Sequence, residues 1–120
     1  MNTDILKRAG IDYDSGLDRF MGDAELYETV LAMFLDDCSL QKAGDARAKG
    51  DYPAMFEAMH ELKGVAGNED MTDLYKASCE LVELLRGGSD YDYAAIDRSF
   101  DEVSRSYAAA KAGILDAGRA

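Results

Sequence analysis

Apolar residues recur at three- and four-residue intervals along almost the whole chain, and alternating apolar/polar runs are nearly absent. That period predicts helix, so the expected fold class is all-α. After Gly22, Asp23 reads as an N-cap with Glu25 in the first turn, where the helix dipole favours acid. Leu26, Val30, Met33 and Phe34 then form the expected buried stripe. Helical pattern resumes through Leu40 and Ala46 to Lys49, with a bend near Asp37 or Gly44, and Gly50 stops it. Asp51-Tyr52-Pro53 restarts the chain as a cap followed by a first-turn proline, and this helix should end near Asn68. A third helix should begin between Asp70 and Thr72, burying Leu74, Ser78, Leu81 and Leu85 with Tyr75 and Val82 alongside, until Gly87-Gly88. The fourth should start at Ser89 or Asp90, run through Ile96, Phe100, Val103, Tyr107, Ala110 and Ile114, and fray beyond Gly113.

Four helices joined by short turns suit an antiparallel up-down-up-down four-helix bundle, here about residues 23–116 of a single domain spanning 1–120. Residues 1–22 form a lead-in with short helical fragments around Asp4 to Ala9 and Ser15 to Phe20. Its Ile5, Leu6, Ile11, Leu17 and Phe20 are expected to close one end of the bundle.

A length of 120 residues and a hydrophobic fraction of 48% support one packed core. The net charge of −11, from 24 acidic and 13 basic residues, repels phosphate backbones and anionic lipid. Nucleic acid and membrane are therefore excluded as partners, and a partner with a basic or metal-bearing face is favoured. Cys38 and Cys79 fit no metal-ligand spacing and no disulfide framework, so reduced thiols are expected. The start Met1-Asn2-Thr3-Asp4 has neither a basic region nor an apolar run, and no stretch is long enough to span a bilayer. These features predict a cytoplasmic protein. With no second apolar stripe evident, the expected state is a monomer.

His60 is the only histidine, and it lies in the run His60-Glu61-Leu62-Lys63-Gly64-Val65-Ala66-Gly67-Asn68. On a helix, Met55, Met59, Leu62 and Ala66 share one apolar stripe. His60, Lys63, Gly64 and Gly67 share another, displaced by roughly a third of a turn. The imidazole should thus stand outside the core, with a cation one turn on and a floor without side chains. Each interior glycine costs roughly 1 kcal/mol against alanine. Two on one face imply a close approach to the backbone, by a partner or by a neighbouring helix. Phe56, one turn before His60, serves either bundle packing or the same exposed face.

His60-Glu61-Leu62-Lys63-Gly64 resembles the H-x-L-K-G signature of histidine-containing phosphotransfer (HPt) domains of bacterial two-component phosphorelays. Gly10-Ile11-Asp12-Tyr13-Asp14-Ser15-Gly16-Leu17-Asp18-Arg19-Phe20, then Gly22-Asp23-Ala24-Glu25-Leu26-Tyr27, is similar to the lead-in of that family. Phe34-Leu35-Asp36-Asp37 resembles its first bundle helix. The likeness covers roughly residues 9 to 105.

The resemblance implies that His60 carries a phosphoryl group on Nε2 and that Lys63 neutralises phosphate charge. Phe56, Gly64, Gly67 and Asn68 would face the docking partner. The implied partners are response-regulator receiver domains and a hybrid histidine kinase. The chain itself would need no cofactor, since Mg²⁺ and a second lysine would come from the receiver. One departure stands out: Glu69-Asp70 replaces the leucine-glycine pair common in the family, which puts the end of this helix and the choice of partner in question.

A free imidazole titrates near pH 6.5, and its neutral form has a lone pair able to attack phosphorus. Phosphoryl transfer needs positioning and charge neutralisation above all. The chain has no G-x-x-x-x-G-K-[ST] loop, so an autonomous kinase is not expected. One histidine and two scattered cysteines are too few for a zinc site, so no metal is expected. Asp36-Asp37 and Glu69-Asp70 read as solvated charges and helix caps. The expected function is a non-enzymatic phosphorelay intermediate; the alternative is a helical module that binds a receiver without carrying phosphate.

Overall fold

Five Asx side chains set where helices begin. Asn2 accepts the Ile5 N–H, Asp12 that of Ser15, Asp23 that of Leu26, Asp51 that of Ala54 and Asp92 that of Ala95, each at 3.0–3.1 Å. The computed structural model describes residues 1–119. Its described residues form α1 (Thr3–Arg8), α2 (Tyr13–Arg19), α3 (Ala24–Met33), a 3₁₀ turn (Phe34–Asp36), α4 (Ser39–Ala48), α5 (Tyr52–Asn68), α6 (Thr72–Leu85) and α7 (Tyr93–Arg119). No strand occurs among them, so the chain is all-helical.

Helix α5 lies between α4 and α6; α7 packs on α6 and carries α1. The core is built from Leu31 and Phe34, Met55, Met59, Leu62 and Ala66, Leu74, Leu81 and Leu85, and Ile96, Val103, Ala110 and Ile114, all buried. The molecule measures 44 × 24 × 20 Å. At about 1.5 Å per residue, α7 alone runs nearly the whole of the long axis. No helix among the described residues is long and apolar enough to cross a membrane.

Three sequence expectations need correction or refinement. The first is the inward face of α3. Tyr27, Leu31 and Phe34 are buried, whereas Leu26 and Met33 are 50% and 66% exposed and Val30 is only partly covered. The helix is turned by about one residue because Tyr27 is the larger ring to bury. Tyr27 packs against Phe20 and Tyr13 at centroid distances of 5.0 and 5.4 Å, and its hydroxyl donates to the Glu69 carbonyl at 2.7 Å. Gly16 makes room, since a Cβ there would overlap the Tyr27 ring and hydroxyl.

The second chooses between two positions: the bend expected near Asp37 or Gly44 falls at Asp37 and Cys38, as an outright break, and the chain stays helical through Gly44. Asp37 is extended, with φ −63° and ψ 138°. Its Oδ2 accepts from the Ser39 amide (3.0 Å), the Ser39 hydroxyl (2.6 Å) and Tyr107 (2.8 Å). Its carbonyl takes the Lys111 ammonium at 2.8 Å. A continuous helix would forfeit this set of bonds.

The third concerns both ends of α7. It starts at Tyr93, after Asp92, because Gly87, Gly88 and Asp90 hold left-handed φ of +103°, +72° and +54°. It also continues past Gly113 without fraying. Ala9 occupies the space beside Gly113, and the Asn2 amide donates to the Ala117 carbonyl at 3.0 Å, so the lead-in holds that end.

Candidate functional site

Helix α5 is built as its pattern requires. Asp51 caps it, Pro53 sits in the first turn, and Met55, Met59, Leu62 and Ala66 are wholly buried. Burying that stripe fixes the helix's rotation and leaves His60 exposed on the opposite flank. Among the described residues no hydrogen bond or ion pair engages the imidazole. The Phe56 ring lies beside it, with centroids 6.0 Å apart, and the Arg86 guanidinium sits 5.7 Å from the Phe56 centroid. Phe56 is half-buried, so it supports the core and borders the imidazole at once.

His60, Lys63, Gly64, Gly67 and Asn68 line one open cleft of about 570 Å³. The second stripe of α5 is thus its floor. The two glycines differ, however. A Cβ at Gly64 would meet nothing within 4 Å, whereas one at Gly67 would come within 3.0 Å of the Tyr75 ring on α6. Gly64 is therefore open ground, and Gly67 seats a side chain of the same molecule.

Besides Ala66 of α5, the rest of the cleft comes from Arg19, Asp70, Thr72 and Tyr75, which were not among the candidates from sequence. Asp70 holds left-handed backbone, φ +56°. Its carbonyl accepts the Asp12 amide at 2.9 Å, its Oδ1 the Ser15 hydroxyl at 2.9 Å and its Oδ2 the Arg19 Nε–H at 2.9 Å. Far from being a merely solvated charge, Asp70 fastens α2 to the end of α5. Ser15 and Arg19 stand in the lead-in, but no local spacing pairs them with a residue so distant in the chain.

Glu69 follows α5 directly. Its carbonyl accepts from Tyr27, while its Oε1 is buried without a hydrogen-bond partner. Burial, and secondarily the nearby Asp37 carboxylate, push this carboxyl up to about 7. The Tyr27 hydroxyl is likewise pushed well above the usual phenol range, by burial first and then by the Asp70 and Glu69 carboxylates. Both shifts lie at the end of the helix that carries His60. No protein-family model, curated protein or solved structure matches this chain.

Proposed function

We propose that this chain is a phosphorelay intermediate, an HPt-like module folded as an up-down-up-down four-helix bundle with a helical lead-in. The observation that carries the proposal is the exposed His60 imidazole, free of protein partners, in an open cleft with Lys63 and the uncovered backbone of Gly64. His60 Nε2 attacks the phosphorus of a receiver's aspartyl phosphate. The N–P bond forms as the acyl P–O bond breaks, and the aspartate leaves as carboxylate. A second receiver's aspartate then attacks the phosphohistidine, and the imidazole leaves.

Lys63 offsets part of the roughly −2 phosphate charge, and the receiver contributes Mg²⁺ and its own lysine. Gly64 leaves room for the receiver's loops, with Phe56 and Asn68 at the edges of the contact and Gly67 holding Tyr75 as its wall. The chain needs no catalytic machinery of its own beyond position and charge. Incubation with a panel of phosphorylated receivers tests this. An acid-labile, base-stable label lost in His60→Gln supports the relay. Receiver binding that survives His60→Gln while the wild type never acquires label identifies a non-catalytic interaction module.

A further inference from the structure

We propose that Arg19 is a second anion-binding cation of the His60 cleft, anchored by Asp70 so that its free guanidinium edge meets phosphoryl oxygens. The inference rests on the cleft being a phosphoryl site and adds a residue to it. Arg19 ends α2, lines the cleft with His60 and Lys63, and keeps 53% of its side chain exposed. Only its Nε–H is engaged, with Asp70 Oδ2 at 2.9 Å. A guanidinium has five N–H donors, so the four on its terminal nitrogens have no protein acceptor among the described residues.

A pair built only to fasten α2 would spend the planar fork on both carboxylate oxygens. Here it does not: the guanidinium reaches only Oδ2, through Nε, while Ser15 donates to Oδ1. The carboxylate is 11% exposed and held by left-handed backbone. It thus restrains the guanidinium through one nitrogen and leaves the edge suited to bidentate phosphate contact free. Lys63 adds a point charge. With Asp70 included, these three side chains sum to +1 in a chain of net charge −11. The cleft is locally cationic on an acidic surface, as a dianion requires.

The test titrates the ¹⁵N-labelled full chain with inorganic phosphate at low ionic strength, following backbone amides and the arginine Nε–H. Saturable shifts are expected at Arg19 Nε–H, Lys63 and Gly64. Arg19→Gln combined with Asp70→Asn removes the cation without stranding a buried carboxylate. It should weaken phosphate binding roughly three- to tenfold, as should Lys63→Gln, while Arg19→Lys retains part of the affinity. Undiminished binding in the folded double variant, or no phosphate response at Arg19 in the wild type, overturns the proposal. Arg19-dependent phosphate binding without any label from receivers would keep this cation and remove the relay. Labelled His60 with phosphate binding indifferent to Arg19 would do the reverse.

Discussion

The Tyr75 ring stands beside Gly67 so closely that a Cβ on the glycine would lie 3.0 Å from its nearest carbon. Four residues along α6, the Cys79 side chain holds the Tyr75 phenol above its usual range. One glycine of the His60 face is thus committed to internal packing, and the other, Gly64, is open.

The two glycines should therefore respond differently to alanine. Gly64→Ala should stabilise the chain by about 1 kcal/mol, the helix-propensity gain with no offsetting contact. Gly67→Ala should gain less, because Tyr75 must shift to admit the methyl. Thermal unfolding of both variants measures this. Gly64→Ala should also slow phosphoryl transfer by intruding where a receiver docks, and unchanged transfer would mean that no partner approaches that backbone.

Glu69 should make stability fall with rising pH. Its pKa goes from 4.5 to about 7, so the folded chain holds this proton more tightly than the unfolded chain does. The resulting stabilisation is complete below about pH 4.5 and lost as pH rises through about 7. Allowing for partial solvent screening, the effect is about 1–2 kcal/mol. Glu69→Gln should remove that component. Denaturant unfolding of both proteins at pH 5 and pH 8 reads the difference, and parallel pH profiles would contradict a raised Glu69.

Gly16 and Tyr27 should be coupled. Gly16→Ala drives a methyl into the Tyr27 ring and should cost about 3 kcal/mol. Tyr27→Phe removes the hydrogen bond to the Glu69 carbonyl and should cost about 1–2 kcal/mol. It also removes the oxygen nearest the new methyl, so the double variant should lose less than the sum. Additive losses in urea unfolding would show that the two residues do not share this space.

Helix α5 was legible in the sequence because its signals agree: Asp51 caps it, Pro53 fits the first turn, and one apolar stripe faces inward. The same holds for Leu74, Ser78, Leu81 and Leu85 on α6. Helix α3 offered two apolar faces one residue apart, and local periodicity could not choose between them. The choice is made by Gly16 and the Glu69 carbonyl, both remote in sequence. The His60 stripe was visible for the reason α5 was. Arg19 and Asp70 were not, because an ion pair between α2 and the end of α5 leaves no periodic trace.

The most direct measurement is to supply a phosphorylated receiver and locate any phosphoryl group the chain acquires. The relay predicts one acid-labile, base-stable phosphohistidine at His60, absent in a His60→Gln variant that keeps the wild-type helical circular dichroism. A label that persists in His60→Gln, or a wild type that binds receivers yet never becomes labelled, would contradict it.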